Sequence, residues 1–393
     1  MTLPPLPAQE SRFGNEELDD FIALVQSQHQ QKVDLVGPLN GTRYENGRLR
    51  ISGVAPVMDE AGVTDVNGLY RPTRTADHQV GGYFGCPSRY MDHMRNDYVG
   101  EPPLIDTTIN GWAAQADERN VLYRMIYGED PNHPGTSGVL RAVKSDRYGL
   151  RDNYDVTLAT LDGMTEAGLD GTNFKGADIT DDRMWLRIHA PGIFVQAPDL
   201  LRGYRDPRSG TSSREVGDVV HAGLVISNSE TGVGSLRITP ELTVLACKNG
   251  MVMNKLAMVK IHLGARMDEG AIKWSQATME AANNLTKLQV RDAIGQFLTT
   301  DFLQRVVDEL TEKATKEISD VQKTLEVVGK KLSYNDVEQA GILSHFIKSG
   351  QVTTGAVMQA VTSYAQGVRE VTRANDLAAT GVEAMELAYA LNA

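Results

Sequence analysis

The stretch VLRAVKSDRYGLRDNYDVTLATLDGM (139–164) contains both kinds of secondary structure that we expect in this chain. Its first part, VLRAVKSDRY, predicts a strand, and NYDVTLATLDGM, after a polar turn, predicts a helix. Asp152 or Asn153 stands where this helix begins, and either side chain could cap it by accepting backbone N–H bonds. The stretch therefore favours a fold that contains both strands and helices.

Working outward, the clearest β region lies between residues 184 and 264. The segments that alternate or are rich in β-branched residues are MWLRIHA, HAGLVISNS, GSLRITPELTVLACKNGMVM and KLAMVKIHLG. Upstream, Asn46-Gly47 is a hairpin signal, and apolar residues at helical spacing predict a helix from an Asn15 cap to about Gln31. Residues 75–99 predict two short helices, with Gly85 as the stop of the first and Pro87 in the opening turn of the second.

Downstream of about Asp268 the chain is almost free of Gly and Pro as far as Lys331. Apolar residues recur there at three- and four-residue steps, a coiled-coil seam pattern: Val307, Leu310, Ala314, Ile318, Val321, Leu325 and Val328. The seam could pack on the β region, pair within an intramolecular bundle or drive oligomerisation. Ser333 is a candidate N-cap, and helices are predicted at 334–349 and 353–392, with a break at Ser349-Gly350.

These patterns predict an α+β fold, with a mixed or antiparallel sheet and flanking helices followed by an all-helical C-terminal third. The predicted organisation is an N-terminal helix and hairpin (1–60), an α+β core domain (61–266) and a helical region (267–393).

Composition limits the classes of function. The 393 residues carry a net charge of −12, so a nucleic-acid role would need a local basic surface and not a basic protein as a whole. Two cysteines far apart in the chain, Cys86 and Cys247, cannot build a disulfide framework. The chain contains neither a signal-peptide pattern at its start nor an apolar run long enough for a bilayer, so we expect a cytoplasmic protein without a membrane partner.

Three separated motifs carry a resemblance. The first is SDRY (145–148), followed by Asp152-Asn153; the second is SETGVG (229–234) and the third CKNG (247–250). In this order they resemble a family found in phages and plasmids that is catalogued as a domain of unknown function, and the match spans residues 65–390. The resemblance implies a mobile-element setting, with the host cytoplasm as location, and brings no established activity. The helical stretch 270–331 departs from it by being longer and more regular.

The segment around the first motif is basic. Strand alternation would place Arg141 and Arg147 on one face, and Lys144 and Tyr148 on the other, with Arg151 joining from the turn. One interpretation is a phosphate-binding strand edge on which Tyr148 stacks with a base. The alternative is that an Asp146–Arg147 pair and a capped helix simply fix the turn.

A second basic segment is the loop Leu201–Glu215. It holds Arg202, Arg205, Arg208 and Arg214 together with Tyr204, and Lys248 adds a cation on a neighbouring strand. Arginine forks match phosphate geometry, and a loop with Arg and Tyr suits single-stranded nucleic acid. Any solvated hairpin loop could have the same composition.

Signatures of enzymes are weak. Gly232-x-Gly234 lacks the third glycine and the following helix of a phosphate loop, so a hairpin turn is favoured. No Walker-type lysine motif occurs and the eight histidines are scattered; Asp146, Asp152 and Glu230 could nonetheless hold magnesium in a nuclease. We predict no cofactor, no resident metal and no catalytic residue.

The favoured hypothesis is a nucleic-acid-binding protein of a phage or plasmid that binds or anneals single strands in replication or recombination, as a homo-oligomer. The predicted contacts are Arg141, Lys144, Arg147, Tyr148, Arg151, Arg202, Tyr204, Arg205, Arg208 and Lys248. The alternatives are a self-associating structural or assembly protein and a metal-dependent nuclease.

Overall fold

The computed structural model describes residues 3–59, 62–200, 205–210, 212, 218–244, 250–260, 270–271 and 276–392. Their strands form two seven-stranded sheets and one two-stranded hairpin, and helices make up the C-terminal third. The fold is α+β with antiparallel and mixed sheets, which confirms the predicted class.

The elements have the following bounds. The strands are β1 (Ser11–Phe13), β2 (Lys32–Pro38), β3 (Tyr44–Glu45), β4 (Arg48–Ile51), β5 (Val57–Asp59), β6 (Gly62–Thr64), β7 (Gly68–Pro72), β8 (Asn120–Tyr127), β9 (Gly138–Ser145), β10 (Phe174–Ile179), β11 (Met184–Gln196), β12 (Val219–Asn228), β13 (Leu236–Val244), β14 (Gly250–Val252), β15 (Met258–Lys260) and β16 (Gly270–Ala271). The helices are α1 (Leu18–Gln30), α2 (Arg74–Tyr83), α3 (Ser88–Asn96), α4 (Leu104–Ala113), α5 (Asn153–Glu166), α6 (Gln276–Phe297), α7 (Thr300–Ala314), α8 (Val321–Lys331), α9 (Asp336–Ser349), α10 (Thr354–Ala365), α11 (Val371–Ala379) and α12 (Gly381–Asn392).

The N-terminal sheet is mixed and has the order β16-β2-β8-β9-β7-β4-β3. Strands β7 and β9 run parallel and the other neighbours antiparallel. The β3–β4 turn confirms the hairpin prediction, because Asn46 (φ 51°) and Gly47 (φ 73°) both have the positive φ that a type I′ turn needs. Side chains of the sheet and of α2–α4 share one core. The predicted boundary at residue 60 falls between strands of this sheet.

The central sheet is antiparallel and has the order β1-β10-β11-β12-β13-β14, with β15 also beside β13. Strand alternation turns one apolar row from each strand, such as Leu186-Ile188 and Leu224-Ile226, into a second core. Helices α1, α5, α6 and α7 contribute to this core.

Each sheet takes an edge strand from a distant part of the chain. Strand β1, near the N-terminus, pairs with β10 of the central sheet, whereas β16, beyond the central strands, pairs with β2 of the N-terminal sheet. Both sheets are therefore built from discontinuous segments.

The C-terminal helices correct the predicted seam. The continuous pattern to Lys331 is divided among α6, α7 and α8. Val307, Leu310 and Ala314 lie in the core of the central sheet, whereas Ile318 and Val328 lie in a separate helical core. The seam residues thus pack within the chain. Among the described helices, none has the length and apolar character needed to cross a membrane.

The ends of α9 give one correction and one confirmation. Asn335, and not Ser333, is its N-cap and accepts the Glu338 N–H at 3.0 Å, while Ser333 has a φ of 56°. At the other end Gly350, with a φ of 74°, ends the helix at the predicted break.

We expect Leu310→Ala to lower the free energy of unfolding by about 2–5 kcal/mol, because it leaves a cavity in the core. Leu310 is 3% exposed, whereas Val337, 75% exposed on α9, provides a control in Val337→Ala that should change little. Urea denaturation of both variants measures the difference. A loss that depends on protein concentration would contradict intramolecular packing of the seam.

Candidate functional site

A β-bulge in β9 changes the direction in which the Arg141 side chain points. Arg124 of β8 pairs with Ala142 of β9, and Met125 pairs with Leu140, so that Arg141 is the extra residue between them. The bulge is held from α2: Thr73 donates its hydroxyl to the Arg141 carbonyl (3.0 Å), and the Val143 N–H donates to Oε1 of Gln79 (2.8 Å). The simple alternation predicted for this strand is therefore wrong at Arg141.

The side chain of Arg141, whose direction the bulge changes, forms an ion pair with Glu230. Its Oε2 is ion-paired with Nη1 of Arg141, and its Oε1 accepts the Asn153 N–H at 2.6 Å. This second bond gives a partner to one of the N–H groups that the first turn of α5 leaves without a partner inside the helix. Helix α5 begins where predicted, but neither Asp152 nor Asn153 provides the cap. Glu230, from the turn between β12 and β13, provides it instead.

Asp152 is engaged in a buried ion cluster. Arg124 binds Asp34 (Nε–Oδ1 2.7 Å) and Asp152 (Nη2–Oδ1 2.6 Å), and Lys32 also pairs with Asp152. Burial alone would raise the pKa of Asp152, but Lys32 and Arg124 hold that pKa well below its ordinary value of 3.8. Asp152 in turn raises the pKa of Lys32 against the opposing effect of burial. We call Lys32, Asp34, Arg124, Arg141, Asp152 and Glu230 the inter-sheet junction.

The first two motifs meet beside this junction. Tyr148 is 8% exposed and its hydroxyl donates to the Ser229 carbonyl at 3.1 Å. Nζ of Lys144 lies 5.4 Å from the centroid of the Tyr148 ring. Gly232 has a φ of 73°, and a Cβ there would lie 2.6 Å from Lys144 Nζ. The segment 229–234 is the predicted hairpin turn, and its glycine makes space for the basic segment.

The predicted contacts in the first basic segment therefore divide into two groups. Arg141 (5% exposed) and Tyr148 are buried and are bonded to Glu230 and Ser229 inside the protein. The prediction that Arg141 contacts a phosphate and that Tyr148 stacks on a base is therefore wrong. Arg147 is exposed and Lys144 half-buried. Arg151 is half-buried and donates to Thr286 Oγ1 at 3.4 Å. We call the segment Lys144–Arg151 the basic turn.

The second predicted segment is part of the connection between β11 and β12. The loop between β11 and β12 leaves the central sheet at the Gln196–Val219 pair, whereas the basic turn is bonded to Asn228 at the other end of β12. Ten residues of β12 separate these ends by about 30 Å, at about 3.3 Å per residue. For the described residues, the attachment of this loop to the sheet and the basic turn thus lie at opposite ends of β12.

Only part of this second segment is described. Arg205 and Arg208 are exposed, and Arg208 lies 3.6 Å from Asp206. Arg202, Tyr204, Arg214 and Lys248 lie outside the described residues, as does Cys247.

The nuclease hypothesis required Asp146, Asp152 and Glu230 to share one ion. Among the described residues, the group with suitable spacing is instead His29, Asp152 and Asp155, whose ligand atoms lie within 4.8 Å of one another. Lys32 and Arg124 already bind Asp152. These two cations would compete electrostatically with a metal ion, so the group does not favour a metal centre.

A groove in the N-terminal sheet was missed by the sequence analysis. It has a volume of about 460 Å³ and is lined by residues of β2, β4 and β8 and by the segments that follow β2 and β4. Arg43 and Arg50 line it together with Gly37, Ser52 and Tyr123. The two arginines flank the Asn46-Gly47 turn, and this spacing is the sequence signal that could have identified them.

Comparison of the chain with protein-family models, with curated proteins and with solved structures finds no match.

Glu230→Gln should lower the free energy of unfolding by about 3–5 kcal/mol, because the buried Arg141 loses its counter-ion. The exposed pair Asp117–Arg119 offers a matched control, since Asp117→Asn should cost less than about 1 kcal/mol. Urea denaturation at neutral pH compares the two. Equal, small losses would contradict a structural role for the Glu230–Arg141 pair.

Stability should also depend on Asp152 in acid. Because the folded-state pKa is depressed below 3.8, the unfolded chain binds a proton more readily, so stability falls as pH drops through and below about 4. The slope from this one group approaches about 1.4 kcal/mol per pH unit. Urea midpoints measured from pH 6 to pH 3 should fall less steeply for Asp152→Asn than for the wild type; parallel profiles would contradict this assignment.

Proposed function

We propose that the protein binds single-stranded nucleic acid through the basic turn, in replication or recombination of a phage or plasmid. The supporting observation is that Lys144, Arg147 and Arg151 stand on one short turn whose intervening Tyr148 is buried and bonded to Ser229. The mobile-element setting rests on the motif resemblance alone, and self-association remains a prediction.

The anchoring of the turn favours binding. Its two ends are fixed, at the bulge by Thr73 and Gln79 and at α5 by Glu230. Cations held on a fixed loop lose less conformational freedom when they meet a phosphate than cations on a mobile one. Burial lowers the pKa of Lys144, and a partly desolvated ammonium interacts more strongly with an anion than a fully hydrated one.

The overall charge of −12 is consistent with such a local site. An acidic surface repels the phosphate backbone outside the basic turn and so favours one orientation of the strand. Binding of this kind depends on few phosphate contacts and should weaken with salt.

The test is fluorescence anisotropy with a labelled single-stranded oligonucleotide over a range of salt concentrations. The double variant Lys144→Ala/Arg147→Ala should bind more weakly and reduce the slope of log K against log salt by about 1.4, since each single-strand phosphate contact contributes about 0.7. The matched control removes two exposed lysines of α8, Lys323→Ala/Lys331→Ala, and should bind like the wild type.

A third variant, Arg205→Ala/Arg208→Ala, measures the predicted contribution of the loop at the far end of β12. The proposal fails if the wild type does not bind at low salt, or if the basic-turn and α8 double variants bind equally well.

A further inference from the structure

The outer face of α9 carries exposed apolar side chains. Val337 is 75% exposed and Ile347 67% exposed, and among the large hydrophobic residues that the structure describes only Val99 is more exposed. Ala340 is exposed and Ser344 half-buried between them. These four residues of α9 follow one another at steps of three, four and three, which places them on one side of the helix. We call them the α9 stripe.

The opposite side of α9 packs within the protein. Ile342 and Phe346 are buried in the C-terminal helical core. Gly341 lies so close to α10 that a Cβ there would overlap the ring of Tyr364. These contacts fix the position of the helix and direct the α9 stripe away from the core.

The two ends of α9 carry opposite charges. Asp336 stands in the first turn and Lys348 in the last, and both are exposed. The second acidic residue of the first turn, Glu338, is already paired with Arg373 (Nε–Oε1 2.6 Å). The helix therefore has an exposed carboxylate at one end of the apolar stripe and an exposed ammonium at the other.

The stripe and the two charges are arranged symmetrically along the helix. Three pairs of residues share one midpoint, at position 342: Val337 with Ile347, Ala340 with Ser344, and Asp336 with Lys348. A two-fold axis at this midpoint places each residue opposite the other member of its pair on a second, antiparallel copy of α9. The small side chains of Ala340 and Ser344 lie at the centre, where they let the two helices approach closely.

We propose that the protein forms a two-fold dimer in which the α9 stripes of two copies pack antiparallel. Val337 then contacts Ile347 of the partner subunit, and Asp336 faces Lys348 of the partner subunit. The antiparallel arrangement also brings the positive end of one helix dipole beside the negative end of the other. One helix from each copy makes a small interface, so we expect a dissociation constant on the order of 10–100 μM, and dilute protein stays monomeric.

Sedimentation equilibrium of the full chain, from dilute protein to about 500 μM, measures this association. Ile347→Glu should weaken it at least about tenfold, because each dimer would bury two carboxylates against apolar side chains. The matched control is Val99→Glu, which adds the same charge at a valine that is 96% exposed outside α9 and should associate like the wild type. Far-UV circular dichroism checks that both variants are folded.

Charge reversal tests the register of the two helices. Asp336→Lys and Lys348→Asp each place like charges opposite one another twice in the dimer. Each should weaken association about 2- to 30-fold at low salt. The double variant Asp336→Lys/Lys348→Asp pairs opposite charges again and should recover the association that either single variant loses.

Three outcomes would overturn the proposal or part of it. A wild type that stays monomeric over the whole concentration range overturns the dimer. A dimer that Ile347→Glu leaves intact forms through another surface, which overturns the role of the α9 stripe. The antiparallel register is overturned if the single charge reversals have no effect, or if the double variant associates no better than they do.

Discussion

The carboxylate of Glu230 joins the two sheets of this protein. One oxygen binds the guanidinium of Arg141 on the bulge of β9, and the other accepts the first N–H of α5. A buried arginine without its partner would be strongly unfavourable, so the bulge and the helix start are coupled to the β12–β13 turn. Arg124 extends this coupling, since it donates to the Glu230 carbonyl and pairs with Asp34 and Asp152.

This coupling explains why a basic segment divides into buried and exposed residues. Arg141 meets an acidic partner within the protein and becomes part of the junction, whereas Arg147 projects beyond it and stays exposed. Tyr148, which lies between Arg147 and Arg151 in sequence, anchors the turn by donating a hydrogen bond to the Ser229 carbonyl. Tyr148 and Ser229, which belong to the first two motifs, thus hold the turn in place.

Sequence patterns predicted correctly those turns and helix ends whose backbone conformation depends on a few adjacent residues. The Asn46-Gly47 turn and the stop at Gly350 follow from conformational preferences of a few neighbouring residues. The start of α5 was predicted at the right residue, but the carboxylate that caps it belongs to Glu230, 77 residues away in sequence. The bulge at Arg141 depends on Thr73 and Gln79, about 70 residues away in sequence, so alternation alone could not predict it. The seam residues pack within the chain, as two of the three alternatives predicted, but they are spread over two helices, the link between them and two cores. Helical periodicity alone could not show this, because it does not specify where a helix ends or which core it joins.

The groove is a second feature that sequence patterns could not predict, because distant segments form it. Its walls come from segments around residues 35–43, 49–55 and 123, which meet only because the N-terminal sheet brings them together. The arginines on either side of a tight turn are local, but the apolar wall opposite them is a tertiary feature. The groove opens on the face of the N-terminal sheet that carries Leu35 and Tyr123. Tyr148 packs beside Val36 and Leu122 on the opposite face, and Lys144, the neighbour of Leu122 in the sheet, lies over its ring. Strand alternation determines which of these two faces each side chain joins, but only the pairing of β2, β4 and β8 brings the walls of the groove together.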